Sequence, residues 1–288
     1  MLLVTTTDSL EEKVGLKRAI KLINDAGFDA VDISFCGMAK DDNAFNQDNY
    51  LDYTYEIRDY AKEIGIGFVQ AHAPFPVTQY DQDFNEKMFK RVVRSMEISS
   101  ILGVEDIVVH PPTHIDNLRQ NIKEIESITV DFYKRLIPYC KKYNIRIATE
   151  NMFTWDYHRG HWTASTNGTT ELFAKMVNDL DSKWVKACVD VGHAGLTGDE
   201  ACDMIKGLNK NISCLHVHDN DYRMDTHLMP YCGDIKWDDV ISALNDIEYK
   251  GNFTFEALRP FMNIPEELLL DALTLLCKIG RYIMSKLK

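Results

Sequence analysis

Short apolar runs alternate with longer amphipathic runs along the whole chain. The short runs are rich in β-branched and aromatic residues, which predicts strands, whereas the longer runs repeat their apolar residues at helical spacing. Strands are predicted at 1–5, 29–34, 66–72, 105–110, 145–150, 185–191, 212–217 and 252–257. Helices are predicted at 10–26, 50–64, 83–102, 116–143, 169–180, 199–208, 237–246 and 265–286.

The strict alternation of strand and helix predicts parallel strands joined by right-handed crossovers. Eight such units in 288 residues are the size of a (β/α)8 barrel, the α/β fold also called the TIM barrel. Because no linker rich in Pro, Gly or Ser divides the sequence, residues 1–288 are predicted to form a single TIM-barrel domain. Two predicted strand-to-helix loops, 151–168 and 218–236, are long, and loops of that length are usually functional or mobile.

The composition indicates which partners and which cellular compartment to expect. A formal net charge of −12 and a pI of about 5.2 disfavour a broad nucleic-acid surface. Seven scattered cysteines without a CxxC pair indicate a reducing compartment, so we expect a cytoplasmic protein. The N-terminus has the pattern of a strand rather than of a signal peptide, and no apolar run is long enough to predict a membrane span.

The predicted strands from the third to the eighth all end in side chains that can ionise or bind a metal. A single residue of this kind is more often a hydrogen-bonding group or a helix cap. Six in succession indicate a shared site, because strand ends converge at the mouth of a barrel and a buried ring of unpaired charges is costly without a cation. The residues are His72, His110, Glu150, Asp190 with His193, His216 with His218, and Glu256.

The chemical types of the candidate ligands limit which metal ions are expected. Three carboxylates and one imidazole suit Mn²⁺, Zn²⁺, Co²⁺ or Mg²⁺ and leave positions open for a substrate. This set is Glu150, Asp190, His216 and Glu256. A further set could hold additional zinc ions or bind the hydroxyls of a polyol, and the residues leave both alternatives open: His72, His110, His193, Asp225 and His227.

Several motifs resemble, in order and spacing, the xylose-isomerase-like barrel superfamily, which includes sugar isomerases, sugar phosphate isomerases, epimerases and the endonuclease IV group. They span about residues 29–258 and are AHAPF, VVHPP, ATENM, CVDVGHAG, HVHDNDYRMDTH and FTFEAL. The most specific part is Asp190-x-x-His193 combined with H-x-H-D-N and Asp225-x-His227.

The resemblance implies a Glu, Asp, His, Glu quartet that holds one divalent ion, with Glu150 and Glu256 also acting as acid and base. Both His216 and His218 fit the histidine position. The superfamily motif H-x-x-D fits this segment in two ways. If its aspartate is Asp219, the histidine is His216, which we favour; if its aspartate is Asp221, the histidine is His218.

The activity that the resemblance implies is isomerisation or epimerisation of a small-molecule sugar or sugar phosphate, by α-proton abstraction through a metal-stabilised enediolate. His193 and Arg223 are candidates for contacts to substrate oxygens. A dehydratase of cyclic polyols and a barrel that binds a sugar without turnover also fit. A homo-oligomer is compatible with each of these alternatives.

The main alternative is a zinc-dependent abasic-site phosphodiesterase like the endonuclease IV group, in which this frame holds three zinc ions. Matching residues are present at the additional positions, His72, His110, His193, Asp225 and His227. The loop FCGMAKDDNAFNQDNY departs from that group, because it has three Asp against one Lys where a DNA backbone would require cations. Nucleic acid is therefore the less favoured partner.

Overall fold

The computed structural model describes residues 1–79, 81–112, 118–180, 183–257 and 259–288. The strands are β1 (Leu3–Thr6), β2 (Ala30–Ser34), β3 (Phe68–His72), β4 (Asp106–Val108), β5 (Arg146–Glu150), β6 (Phe153–Asp156), β7 (His161–Ala164), β8 (Val185–Asp190), β9 (Ile212–His216) and β10 (Phe253–Phe255). The α-helices are α1 (Asp8–Val14), α2 (Leu16–Asp25), α3 (Tyr50–Ile64), α4 (Gln82–Leu102), α5 (Leu118–Tyr143), α6 (Thr170–Leu180), α7 (Val191–Thr197), α8 (Ala201–Leu208), α9 (Trp237–Asp246) and α10 (Leu269–Met284).

Eight parallel strands form the barrel, in the order β10-β1-β2-β3-β4-β5-β8-β9. The last gap closes where Val217 pairs with Phe255 and its N–H donates to the carbonyl of Thr254 at 2.9 Å. The N–H of Glu256 returns a bond to the carbonyl of Val217 at 3.1 Å. The (β/α)8 barrel predicted from the alternation of strands and helices is therefore confirmed, and each of its eight strands overlaps a predicted one.

Several predicted segments differ from the structure. The predicted helix 10–26 is two helices, α1 and α2, because Gly15 lies between them at φ 79° and ψ 155°, outside helical values. The predicted strand 185–191 ends at Asp190, whose side chain accepts from the N–H of His193 and begins α7. Inside the segment 151–168, treated as a loop, β6 and β7 form an antiparallel hairpin. The first two residues of the predicted helix 116–143 lie outside the described residues.

The inner face of the barrel explains why the strand ends form one site. Four small buried residues, one from each of β4, β5, β8 and β9, form a cluster separate from the main core: Val108, Ala148, Cys188 and Cys214. Because side chains alternate along a strand, the residues two positions later share that inner face. These are His110, Glu150, Asp190 and His216.

The main core lies between the barrel and its helices and includes residues from nearly every helix, such as Ile20, Ile57, Leu136 and Leu244. Within the described ranges, every helix is too short or too polar to cross a membrane.

Candidate metal centre

Four side chains converge at the carboxyl-terminal mouth of the barrel and are called the quartet here: Glu150, Asp190, His216 and Glu256. Each contributes one ligand atom to a set in which all atoms lie within 4.8 Å of one another. The Nδ1 of His216 is 3.1 Å from Oε1 of Glu150 and 3.5 Å from Oε2 of Glu256. Glu150 is 1% exposed, whereas the side chain of Glu256 is 20% exposed. Glu256 is thus the carboxylate of the quartet that faces solvent most.

Opposing charges dominate the electrostatics of the quartet. Burial raises the pKa of Glu150, but the charges of His216 and His110 lower it more, so that it lies well below its usual range. Burial lowers the pKa of His216, but the charges of Glu256 and Glu150 raise it more, to about 9. In the metal-free protein, the positive charge of protonated His216 therefore balances the negative charge of the carboxylates. A bound cation would supply this positive charge in its place.

A second set, called here the histidine group, consists of His72, His110 and the same Glu150. The Nε2 atoms of the two histidines are 3.0 Å apart, and Nε2 of His110 is also 3.0 Å from Oε2 of Glu150. The Nδ1 of His72 is 2.8 Å from the carbonyl oxygen of Ala73, so Nε2 is the ring nitrogen directed into the site. Glu150 therefore lies between two groups of potential ligands.

A third set, called here the loop group, consists of His193, His218, Asp225 and His227. The rings of His218 and His227 stack with centroids 4.0 Å apart. The Nε2 of His227 is 2.9 Å from Oδ2 of Asp225, and its Nδ1 is 2.8 Å from the carbonyl oxygen of Glu256. The Nε2 of His218 is 3.0 Å from Oδ1 of Asp190, which connects this group to the quartet.

The structure brings every candidate residue into one of these three sets except Arg223. His216 lies in the quartet, whereas His218 faces Asp190 and the loop group, and this arrangement favours His216 as the histidine of the quartet. Arg223 is exposed on the loop, where its backbone N–H donates to Oδ1 of Asp221 at 3.0 Å. The expectation that Arg223 contacts substrate oxygens stays a prediction.

Asn151 is a positioning residue that the sequence did not single out. Its side-chain amide donates to the carbonyl of Asp190 at 2.9 Å and accepts from the N–H of Asp190 at 2.8 Å. The backbone carbonyl oxygen of Asn151 is 3.0 Å from Nδ1 of His193. Asn151 thus fixes the backbone of one residue of the quartet and the ring of one residue of the loop group.

A second residue beside the quartet that the sequence did not single out is Asp32 of β2, which is fully buried. Its Oδ2 is 3.9 Å from Nε2 of His216, the ring nitrogen that does not contact Glu150. Within the described residues, Nε2 of His216 and Oδ1 of Asp32 have no hydrogen-bond partner. Burial raises the pKa of Asp32 to about 6, against the opposing charges of His216 and His72. A carboxylate behind a metal-binding histidine commonly orients its ring.

Aromatic side chains surround the mouth. Phe153 of the hairpin packs edge-on against His193, with centroids 4.8 Å apart, and against Trp162 at 5.0 Å. On the other side, Phe75 is 45% exposed and lies 5.0 Å from the ring of His110. The site therefore combines polar groups at its base with apolar surface at its rim, as is usual for a small-molecule site.

A divalent cation fits the quartet on the chemistry of its donors. The set offers three carboxylates and one imidazole, and three of its four residues are almost completely buried. Buried carboxylates this close together repel one another unless protons or a cation compensate. Oxygen and nitrogen donors of this kind suit Mn²⁺, Zn²⁺, Co²⁺ or Mg²⁺.

Comparisons with known proteins agree with this architecture. A family model described as the xylose isomerase-like TIM barrel matches residues 20–279. The uncharacterized protein MJ1311 of Methanocaldococcus jannaschii is 30% identical over an alignment of 219 residues, and the match covers 72% of this chain and 68% of that protein.

Two solved structures share the fold over nearly their whole length. The IOLI protein, solved with a bound zinc atom, has a TM-score of 0.80 and 21% identity, covering 100% of this chain and 99% of that one. A D-tagatose 3-epimerase-like protein has a TM-score of 0.76 and 22% identity, covering 99% of each chain. From the match to the family model over most of its length, the chain belongs to the xylose isomerase-like TIM barrel family.

Proposed function

We propose that the protein is a divalent-metal-dependent isomerase or epimerase that acts on a sugar or sugar phosphate by abstracting a proton next to a carbonyl group. The observation that carries this proposal is the quartet, in which two glutamates, Glu150 and Glu256, approach one shared point beside His216. Similar structures include a D-psicose 3-epimerase solved in the presence of D-fructose, at 14% identity and a TM-score of 0.74. This similarity supports the proposal, because the same fold carries a sugar epimerase there.

The proposed roles follow from charge and exposure. The four residues of the quartet would hold the ion, which when bound supplies a Lewis acid that stabilises negative charge on a substrate oxygen. Glu256, the more exposed carboxylate, would exchange a proton with one face of the substrate, and Glu150 with the opposite face. Return of the proton to the opposite face of the same carbon gives epimerisation, and return to the neighbouring carbon gives isomerisation.

The surrounding groups would orient the substrate. His72, His110 and His193 present ring nitrogens around Glu150, at 3.0–3.9 Å, and can donate to or accept from hydroxyl groups. Phe75 offers an exposed apolar face to the C–H side of a sugar. We also infer a cytoplasmic location, because all seven cysteines are described and each is a free thiol.

The test is hydrogen exchange in D2O. Protein loaded separately with Mn²⁺, Co²⁺, Zn²⁺ or Mg²⁺ is incubated with a panel of ketoses, aldoses and their phosphates, and loss of the C–H signal next to the carbonyl is followed by NMR. We expect exchange with at least one sugar, and a loss of about 10²-fold or more in Glu150→Gln and Glu256→Gln. The matched control is Glu63→Gln, since Glu63 is exposed on α3. Equal exchange in all variants would contradict the assigned roles.

One observation favours a second candidate function, a multi-zinc phosphodiesterase that cleaves abasic DNA. The histidine group and the loop group provide ligands for two further ions beside the quartet. Zinc per chain is measured by elemental analysis, and cleavage is measured on an abasic duplex oligonucleotide. Three zinc ions with strand cleavage and no sugar exchange would favour the phosphodiesterase over the isomerase.

A further inference from the structure

Helix α10 and the residue before it carry a row of exposed apolar side chains on the face that points away from the barrel. The opposite face is buried in the main core through residues such as Leu273 and Leu276. On the outer face, Leu268, Leu275 and Tyr282 are 49%, 52% and 54% exposed. They are spaced seven residues apart, close to two helical turns, so they lie in one line roughly 21 Å long. This row is called the α10 stripe here.

The spacing of the α10 stripe distinguishes it from scattered surface residues. Single exposed leucines are common on soluble proteins and need no partner. Apolar residues repeated every seven positions on one helix form the seam by which two helices pack together. Because its three residues are about half exposed, the rest of the described chain leaves this seam uncovered.

The two flanks of the α10 stripe differ in chemistry. One flank carries Asp271 and Lys278, which are both exposed and lie one turn before and one turn after Leu275. Within the described ranges, neither of these two charged residues forms an ion pair. The other flank carries Ala272 and Ile279, which are partly buried against the core. One flank thus has an acid and a base, and the other is apolar.

Two copies of the α10 stripe match when their helices run antiparallel. A two-fold axis at Leu275, perpendicular to the helix, reverses the helix direction and keeps each flank on the same side of the contact. Leu275 then packs against Leu275 of the second copy, and Leu268 packs against Tyr282 of the second copy. Every contact is made twice, as in any isologous interface.

The flanks favour this orientation and this partner. In the antiparallel pair, Asp271 faces Lys278 of the second copy, and Lys278 faces Asp271 of the second copy. On the other flank, Ala272 meets Ile279 of the second copy. A parallel pair would bring Asp271 against Asp271 and Lys278 against Lys278, and like charges repel. The face is therefore complementary to itself in charge and in apolar surface, which points to a second copy of this chain.

The aromatic end of the α10 stripe is already oriented. The ring centroids of Tyr282 and Tyr231 are 6.1 Å apart, and Nζ of Lys286 lies 4.7 Å from the ring centroid of Tyr282. Lys286 is itself held by Asp238, with Nζ 3.3 Å from Oδ1. Because these contacts restrict the ring, Tyr282 loses less side-chain entropy on association than a free tyrosine would.

We propose that the protein forms a two-fold symmetric homodimer in which the α10 stripes of two copies pack antiparallel. A single helix face covers less than the ~800 Å² per partner of a standard interface, and each copy carries a net charge of −12. The dimer is therefore one that dissociates on dilution. The contact lies on the outside of the barrel and uses no residue of the quartet, so it stands independently of the proposed isomerase function.

The experiment is sedimentation equilibrium of the full chain over a dilution series. The wild type should change from dimer to monomer as it is diluted. Leu275→Glu should be monomeric throughout, because it places two carboxylates against each other at the axis. The matched control is Leu51→Glu, which should dimerise like the wild type, since Leu51 is 38% exposed but lies on α3.

Reversing one charge at a time tests the antiparallel orientation. Asp271→Lys makes both positions of the charged flank basic, and Lys278→Asp makes both acidic. Each variant alone should dimerise at least tenfold more weakly than the wild type, because the symmetry repeats each repulsion. An equimolar mixture of the two variants should associate as the wild type does, since every basic position then faces an acidic one.

The far-UV circular dichroism of each variant should stay that of the wild type, because all the substituted positions are exposed. A wild type that is monomeric at every concentration would overturn the proposal and leave the α10 stripe to a different partner or to solvent. The proposal also fails if Leu275→Glu dimerises as tightly as the wild type, or if the equimolar mixture associates as weakly as its two components.

Discussion

The metal-free protein should lose stability as the pH rises from 6.5 to 9. The relevant group is His216, which is completely buried and whose pKa is raised to about 9 by the charges of Glu256 and Glu150, against the opposing effect of burial. A histidine in the unfolded chain has a pKa of about 6.5. The folded state therefore holds a proton that the unfolded state releases in this range.

The direction and the size of this change in stability follow from the linkage between proton binding and folding. A raised folded-state pKa contributes stability that is fully present below pH 6.5 and is lost as the pH passes through about 9. The shift corresponds to about 3 kcal/mol, which is a large part of a typical free energy of unfolding. With the ion bound, the histidine is already deprotonated, so this loss should disappear.

The assay is urea unfolding of the EDTA-treated protein at several pH values, compared with the variant His216→Asn. The comparison is needed because burial also raises the pKa of Cys188 and Cys214, which weakens the fold at high pH in both proteins. We expect the stability of the wild type to fall by about 3 kcal/mol more than that of the variant between pH 6.5 and 9.5. Equal slopes in the two proteins would show that His216 does not hold this proton.

Three further predictions concern residues outside the quartet. Asp32→Asn should weaken metal binding by about 10- to 100-fold, measured by competition with a chelating dye, without lowering the Tm of the metal-free protein; a lowered Tm would indicate a merely structural role. Gly192→Ala places a Cβ 2.0 Å from Cε1 of His218, so urea unfolding should show a loss of about 1–3 kcal/mol, and an unchanged stability would contradict the packing. Burial and the nearby Asp8 raise the pKa of Glu11 to about 7, which destabilises the fold increasingly from pH 4.5 to 7; Glu11→Gln should therefore stabilise the protein above pH 7 and not below pH 4.5 in thermal unfolding.

The sequence predicted the barrel because strands buried on both faces form continuous apolar runs, and eight of them alternate with amphipathic helices. It missed the break at Gly15, because the apolar residues of α1 and α2 continue at helical spacing across it. It missed the hairpin of β6 and β7 because its residues are partly exposed and mixed in polarity. Half-exposed strands of four residues leave too weak a pattern to identify.

The site was predictable to the extent that it lies at strand ends. The intervals from His72 to Glu256 along the chain follow the βα units, so one barrel mouth was expected for all these residues. Asn151 and Asp32 were missed, although a lone acid inside the apolar strand AVDIS is a signal of a buried partner. The exposure of Arg223 could not be predicted, because the residues of a loop follow no periodic pattern of burial.

The quartet is tested as a metal site by a crystal structure of metal-loaded protein with anomalous data collected at the absorption edge of the added ion. We expect an anomalous peak bound by Glu150, Asp190, His216 and Glu256, and loss of that peak in Asp190→Asn. Peaks in the histidine group and the loop group as well would favour the phosphodiesterase while leaving the quartet as a metal site. An ion bound by His193, Asp225 and His227 with no peak at the quartet would contradict the assignment of the quartet as the metal site.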